Sequence, residues 1–265
     1  MNTYIDTHTH LDFDDFDGDR DAVLADSQRL GVQRLLLMGV TRGNWDRLWM
    51  MVERDSRLYA AFGLHPVFLN EHQPADLTHL RDRLARHADD PRCCAVGEFG
   101  LDYYIDNPDR ERQQQLFEAQ LQIAADVDLP VLLHVRRAHA PVTAALKRYR
   151  LRRAGIIHAF SGSYEEAREY IRLGFKLGMG GAATWPQAKR MHRVIAQLPA
   201  ESLVLETDCP DMAPAFCPYQ RNSPQNLPRI CAELAALRGE TPEQLARQCL
   251  HNTCELFGWS ATAVA

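Results

Sequence analysis

Short apolar runs of four to six residues alternate with longer amphipathic stretches along most of this chain. Short runs rich in β-branched and aliphatic residues are typical of buried strands, and longer stretches with a 3.6-residue period are typical of helices. Eight runs fit the strand pattern, at residues 4–8, 34–39, 58–63, 94–98, 130–134, 155–158, 175–179 and 203–208.

The stretches between the runs carry helix signals. Residues 109–128 place four apolar side chains on one helical face and put charged residues and glutamines elsewhere. The four are Phe117, Leu121, Ala124 and Ala125. Two further segments, 163–166 and 241–244, have the form of capping boxes that begin helices, the second with proline at the first helical position.

Strand and helix signals that alternate eight times, with no linker or repeat, predict a single α/β domain over residues 1–265. We expect a (β/α)8 TIM barrel, because that fold takes roughly 250 residues as one unit. An open doubly wound sheet is the alternative, and strand counting does not exclude it.

Polar side chains fall at the ends of these apolar runs. The carboxyl ends of the strands form the active-site face of a (β/α)8 barrel, so such residues would converge there. The residues at or just after run ends are His8, His10, His65, Glu98, His134, His158 and Asp208.

Six of these residues, all except His65, suit a divalent metal. His8 and His10 lie two apart on one strand, so their side chains point to the same side. A carboxylate such as Glu98 or Asp208 after an apolar strand is costly to bury unless it is paired or bound to a metal. Four histidines and two carboxylates exceed the ligands of one catalytic zinc ion with an open position, which favours a two-metal centre.

Composition and charge limit the partners. The chain has 265 residues, 46% hydrophobic, and a net charge of −5, so no global attraction to nucleic acid or membrane is expected. No apolar run approaches the roughly 18 residues of a membrane helix, and no signal-peptide pattern is visible. Seven cysteines without a CxxC pair favour a cytoplasmic protein with reduced thiols. The oligomeric state stays open, and a monomer is compatible with the sequence.

Six strings in the chain resemble the TatD-type metal-dependent deoxyribonucleases, a family of amidohydrolase-like TIM barrels. The resemblance runs in order from residue 4 to about residue 258, and the segment 221–224 after the last run also matches. The strings are IDTHTH from residue 5, GLHP from 63, GEFGLD from 97, LLH from 132, IHAFSG from 157 and LETD from 205.

The resemblance implies hydrolysis of phosphodiester bonds and a defined ligand set. The implied metal ligands are His8, His10, Glu98, His134, His158 and Asp208. Two positions depart from the family pattern, Cys209 and Ala159. Cys209 would either bind metal or pack as a small side chain beside the site, and packing is favoured because the other ligands already fill the coordination count.

These residues suggest a mechanism with two divalent ions, Mg²⁺, Mn²⁺ or Zn²⁺, roughly 3.5–4 Å apart. We expect one ion at His8, His10 and Asp208, the other at His134 and His158, and Glu98 as the bridge. Asp208 would act as general base and then acid. His65 and either Arg136 or Arg137 are candidates for holding phosphate, and the role of Glu206 stays open.

Three functions compete. The first is a nuclease that trims DNA ends in a 3′–5′ exonuclease-like manner, favoured over endonuclease action because the chain lacks a global basic patch. The second is an amidohydrolase acting on an ester, lactone or amide, including aminoacyl esters on transfer RNA. The third is a non-catalytic metal-binding protein, against which the intact ligand set argues.

Overall fold

A computed structural model describes residues 2–260, and eight parallel strands form one sheet in it, in the order β1 to β8. Met1 and residues 261–265, which the predicted domain 1–265 includes, lie outside the described residues. The strands are β1 (Tyr4–Thr9), β2 (Val32–Met38), β3 (Leu58–Phe62), β4 (Cys93–Asp102), β5 (Val131–Arg136), β6 (Gly155–Ile157), β7 (Lys176–Met179) and β8 (Leu203–Leu205).

Helices separate these strands along the chain. Within residues 2–260 no helix combines the length and the apolar character that a membrane crossing requires. The helices are α1 (Arg20–Arg29), α2 (Trp45–Arg54), α3 (Asp76–Arg86), α4 (Arg110–Val127), α5 (His139–Tyr149), α6 (Tyr164–Arg172), α7 (Lys189–Gln197), α8 (Leu227–Arg238) and α9 (Pro242–Phe257).

The described chain contains two compact units. The first takes in the residues up to 36, 159–171 and those from 176 onward; there β7 pairs with β8 in parallel, and Thr9 at the end of β1 bridges Cys209 just after β8. The second takes in 37–158 and 172–175, in which β3, β4, β5 and β6 pair in parallel, each with the next.

Sequential strand order, with β8 returning beside β1, is the arrangement of a (β/α)8 barrel. The predicted fold class is therefore confirmed. The open doubly wound alternative is wrong, because in that fold the strand order reverses at a switch point.

Two helices begin at the capping boxes that the sequence predicted. Thr241 and Gln244 form a reciprocal capping box at the start of α9, and Ser163 and Glu166 do the same before α6. In α4 the structure differs from the prediction, which placed the glutamines away from the apolar face. Gln113 and Gln120 are fully buried there. Gln113 accepts the backbone N–H of Asp102, and Gln120 accepts that of Leu64, the residue before His65.

Candidate metal centre

Three predicted ligands meet at the carboxyl ends of β1 and β8. His8 Nε2 lies 3.6 Å and His10 Nε2 lies 3.4 Å from the same oxygen, Asp208 Oδ1. The two rings approach edge to face with centroids 5.2 Å apart, as expected for side chains two residues apart on a strand. We call His8, His10 and Asp208 the first cluster.

Asp6 holds β1 against the segment that carries Asp208. It is fully buried within β1, and its carboxylate accepts hydrogen bonds from the backbone N–H of Thr207 at 3.0 Å and from the Thr207 hydroxyl at 2.6 Å. Asp208 in turn donates its N–H to the carbonyl of His8 at 2.9 Å. Burial raises the pKa of Asp6 to about 8, although the Thr207 hydrogen bonds act in the opposite direction.

The backbone of Asp208 has φ +59°, a left-handed conformation that non-glycine residues adopt infrequently. Strained backbone of this kind persists where the surroundings over-determine it, as they do at functional sites. Asn222, from the segment after β8, is part of those surroundings, since its Nδ2 donates to the carbonyl of Thr207 at 2.7 Å.

Glu206, whose role the sequence left open, is buried beside the first cluster. Its Oε1 accepts the backbone N–H of Ala159 at 2.7 Å, and one of its ligand atoms lies within 4.8 Å of one on His8. Gly178 makes room for it, because a Cβ at that position would lie 2.0 Å from Glu206 Oε2. Glu206 therefore belongs to the surroundings of the first cluster.

Three other predicted residues come together, of which His65 follows β3, Glu98 lies within β4 and His134 lies within β5. His65 Nε2 and His134 Nδ1 each lie 3.2 Å from Glu98 Oε1. The Glu98 side chain is only 3% exposed, and the two imidazole rings are 4.4 Å apart between centroids. We call His65, Glu98 and His134 the second cluster.

An irregularity in β4 gives Glu98 its position. Gly97 pairs with Leu132 and Phe99 with Leu133, so Glu98 is an extra residue relative to β5. A β-bulge of this kind re-aims a side chain next to an active site. Gly97 is required for the close approach of the strands, because a Cβ there would lie 2.7 Å from that of Leu132.

Asp102, the last residue of β4, was not among the predicted site residues. It is 1% exposed, and its Oδ2 lies 2.9 Å from His134 Nε2. Burial alone would raise the pKa of Asp102, but the hydrogen bonds from His134 and from the N–H of Tyr104 outweigh it and lower that pKa. Burial also disfavours the charged form of His134 and by itself would lower the pKa of that imidazole. The contacts of His134 with Asp102 and Glu98 outweigh burial and raise its pKa above the ordinary value.

The hydrogen bonds of His65 identify its tautomer. Its Nδ1 accepts the N–H of Val67 at 3.2 Å, so in the neutral ring the proton lies on Nε2. His65 therefore presents a donor toward Glu98. That His65 holds phosphate stays a prediction from the sequence.

The remaining predicted residues lie as follows. His158 is buried directly after β6, with its ring centroid 6.4 Å from that of His134. Arg136 and Arg137 are exposed and stack on Tyr104. Cys209 is fully buried, and its carbonyl accepts the N–H of His10.

Both clusters offer the atoms that divalent metals bind. Imidazole nitrogen and carboxylate oxygen suit Zn²⁺ and Mn²⁺, and each cluster places two imidazoles around one carboxylate oxygen. The side chains are at most 17% exposed, so the desolvated carboxylates need positive partners. The first cluster therefore fits a divalent ion, and in the second cluster Glu98 and His134 offer ligand atoms.

Comparison with known proteins agrees with this chemistry. Residues 5–258 match the family model described as TatD related DNase. The metal-dependent hydrolase YjjV of Escherichia coli, described as uncharacterized, is 42% identical over 96% of this chain and 97% of that protein. A protein of Pantoea ananatis named 3′-5′ ssDNA/RNA exonuclease TatD is 33% identical over 96% of this chain and 98% of that protein.

A solved structure gives the same result for the fold. The crystal structure of Escherichia coli YjjV superposes with a TM-score of 0.93, covering 97% of this chain and 98% of that chain. With a family match over almost the whole length, relatives more than 30% identical, and buried imidazole and carboxylate clusters at the strand ends, the chain belongs to the TatD-related DNase family and is a metal-dependent hydrolase.

Proposed function

We propose that this protein hydrolyses phosphodiester bonds in single-stranded DNA, shortening the strand from its 3′ end with the help of two divalent ions. The observation that carries the proposal is the presence of two buried clusters of imidazoles and a carboxylate, in which Asp208 lies beside His8 and His10, and Glu98 lies beside His134. The exonuclease name of the Pantoea ananatis relative supports the same substrate class.

The first cluster would hold one ion through His8, His10 and Asp208, and His134 with His158 would hold the other. Glu98 as the ligand shared by both ions stays a prediction from the sequence. Bound divalent ions would supply Lewis-acid stabilisation of the charge that grows on a phosphoryl group and would lower the pKa of water. Magnesium and manganese suit phosphoester chemistry, and zinc suits the imidazole-rich ligand set.

We assign proton transfer to Asp208. Its side chain is 14% exposed, compared with 1% for His8, so of these two ligands it is the one that solvent and substrate reach. Its left-handed backbone and the main-chain bond to His8 hold the carboxylate in one place. A positioned carboxylate of this kind accepts a proton from the attacking water and returns it to the leaving oxygen.

We assign phosphate binding to His65. The proton on Nε2, fixed by the acceptor role of Nδ1, is directed to the position of Glu98 Oε1 at 3.2 Å. A neutral donor there can hold a non-bridging phosphate oxygen without competing for a metal. His65 would therefore orient the substrate.

The test is a time course with single-stranded oligonucleotides labelled at either the 5′ or the 3′ end. Wild-type protein should produce a ladder of shortened 5′-labelled products with Mg²⁺ or Mn²⁺. Asp208→Asn should lose about 10²–10⁴-fold in turnover, which is the usual contribution of a positioned acid–base group. Asp89→Asn is the matched control, because Asp89 is exposed and lies before the amino end of β4.

Two outcomes would contradict the proposal. If the protein cleaves no oligonucleotide with Mg²⁺, Mn²⁺, Co²⁺ or Zn²⁺ but turns over a carboxyl ester, lactone or amide, the amidohydrolase function replaces it. If Asp208→Asn turns over as fast as wild type at saturating metal, the proton-transfer role of Asp208 is wrong, and Glu206 becomes the next residue to test.

A further inference from the structure

Two exposed arginines stack on one exposed tyrosine beside the second cluster. The Cζ atoms of Arg136 and Arg137 lie 4.0 Å and 4.4 Å from the centroid of the Tyr104 ring. Tyr104 is 48% exposed and follows the end of β4, while Arg136 ends β5. The two strands are paired there, with Asp102 opposite Arg136.

This arrangement concentrates positive charge. Among the described residues, no carboxylate forms an ion pair with either guanidinium, although both lie against the same ring. Two like charges held this close repel each other, in a chain whose net charge is −5. A guanidinium group that packs against a ring through its face keeps its in-plane N–H donors available, and these match the geometry of phosphate oxygens.

The backbone fixes this group in place. Arg137 has φ +53°, and the carbonyl of Arg136 accepts the N–H of Tyr103 at 2.9 Å. Asp102 accepts the N–H of Tyr104 at 2.8 Å, so the residue that orients His134 also positions the tyrosine. The tyrosine and the two arginines are therefore held at a defined place relative to the second cluster.

The start of α5 adds to the same potential. This helix of 11 residues begins at His139, directly after Arg137 and Ala138, and its first turn contains no acidic residue. No side chain caps it at Ala138. The partial positive charge of a helix N-terminus favours an anion, so it supports the two guanidinium groups instead of opposing them.

We propose that Tyr104, Arg136 and Arg137 form a phosphate clamp, which binds a backbone phosphate of single-stranded nucleic acid next to the bond that is cleaved. The inference rests on the proposed function and names the part of the substrate that this group takes. His134 and Arg136 lie two residues apart on β5, or about 6.6 Å along an extended strand, so the clamp is a neighbouring position and not the metal site itself.

The exposed ring distinguishes a polynucleotide from a small phosphate ester. Surfaces that bind single strands combine cations along the backbone with aromatic side chains beside the bases. The clamp has both, in a chain without a global basic patch. A short strand end, which needs few phosphate contacts, fits this better than a duplex does.

The test measures binding, without turnover. Metal-free wild-type protein is titrated into a fluorescein-labelled oligothymidylate of eight nucleotides at several salt concentrations, and fluorescence anisotropy gives the dissociation constant. The double variant Arg136→Gln/Arg137→Gln should bind more weakly, and its plot of log affinity against log salt should be shallower by at least about 0.7, the contribution of one phosphate on a single strand. Tyr104→Ala should bind about tenfold more weakly, whereas Tyr104→Phe, which keeps the ring, should bind like wild type.

The matched control is an arginine–tyrosine pair on α5, the helix that follows the clamp arginines in the chain. Arg148 lies 5.6 Å from the ring of Tyr149 at the far end of α5, away from the carboxyl end of β5. Arg148→Gln and Tyr149→Ala should leave both the affinity and the salt dependence unchanged. A circular dichroism melt of each variant shows whether it is folded.

The outcomes separate the clamp from the proposed function. The clamp is overturned if the double variant keeps the wild-type affinity and salt slope, or if metal-free wild type binds no oligonucleotide at the lowest salt. Inorganic phosphate at equal ionic strength should compete poorly, and equal competition would reduce the clamp to a site for free phosphate. A protein that binds through the clamp but cleaves no oligonucleotide with any metal would contradict the nuclease proposal alone.

Discussion

His134 lies between two carboxylates that have different surroundings. Asp102 accepts from His134 Nε2 on one oxygen, and its other oxygen accepts the N–H groups of Tyr104 and Ile105 at 2.8 and 3.2 Å. Because all these partners are donors, Asp102 acts only as an acceptor and places the imidazole proton on Nε2. Nδ1 is thereby the atom of His134 that can bind an ion, on the side of Glu98.

The substitution Asp102→Asn tests this role. Asparagine has one acceptor oxygen, so its amide would face a donor either at His134 or at the two backbone N–H groups. We expect the affinity for Mn²⁺ or Zn²⁺ to fall about 10–100-fold, the usual effect of losing a hydrogen-bond partner behind a metal ligand. Titration of metal-free protein in competition with a chelating indicator measures it.

Asp126→Asn is the control for that experiment. Asp126 is an exposed carboxylate near the end of α4 and pairs with Arg81 at 2.6 Å, whereas Asp102 contacts Gln113 near the start of that helix. Its substitution should leave metal affinity unchanged. Equal affinities for Asp102→Asn and wild type would show that Asp102 does not orient His134.

Among the helices, α4 supports the second unit with two buried glutamines, two turns apart on one face. Gln113 binds both main-chain groups of Asp102, at 2.8 and 2.9 Å. Gln120 does the same for Leu64, the residue before His65, at 2.8 and 3.1 Å. A single helix thus fixes the ends of two strand segments that carry His65 and Asp102.

Gln120→Ala should destabilise the protein by about 3 kcal/mol, because it leaves a buried N–H and a buried carbonyl of Leu64 without their partner. Urea unfolding of metal-free protein gives the free energy. Gln122→Ala, at an exposed position on the same helix, should change it by no more than about 0.5 kcal/mol. If both variants lose a similar free energy of unfolding, helix propensity and not the buried amide of Gln120 determines the loss of stability.

The apolar runs were sufficient to predict the eight strands, because buried parallel strands are nearly continuous in hydrophobic residues. They could not predict that β4 continues to Asp102 past the bulge at Glu98, since a polar residue ends a run in a hydrophobicity pattern. Gln113 and Gln120 were assigned to the polar face of α4 for the same reason. Their burial depends on main-chain groups distant in sequence.

The site was predictable where residue type and strand position agreed. His8, His10 and Asp208 come together as expected, and so do Glu98 and His134. Asp6 was missed, although it too is an acidic residue within an apolar run, and the argument on buried carboxylates applied to Glu98 would have identified it. Nothing in the sequence pattern distinguishes Tyr104 from other tyrosines, because its contact with Arg136 and Arg137 forms only when β5 lies beside β4.

At the scale of the whole molecule, each cluster is held by its own set of hydrogen bonds. Asp6 and Thr207 fix the first cluster, and Asp102 fixes His134 in the second. Sites formed by residues this distant in sequence do not exist in the unfolded chain. Ions that bind them therefore stabilise the folded state, by about 2.7 kcal/mol at a concentration 100 times the dissociation constant of one site.

Two ions per chain is the corresponding expectation for stoichiometry. Elemental analysis of protein saturated with Mn²⁺ or Zn²⁺ and then desalted should give two equivalents for wild type and one for His8→Ala/His10→Ala, because that variant loses both imidazoles of the first cluster. The thermal midpoint should rise with metal in both proteins, but by less in the variant, since only one site remains to couple binding to folding.

His251→Ala, at an exposed position on α9, should behave like wild type in both measurements. A wild-type chain that retains no more than one ion at saturation would contradict the two-ion centre, and a variant that still retains two would place the first ion somewhere other than His8 and His10.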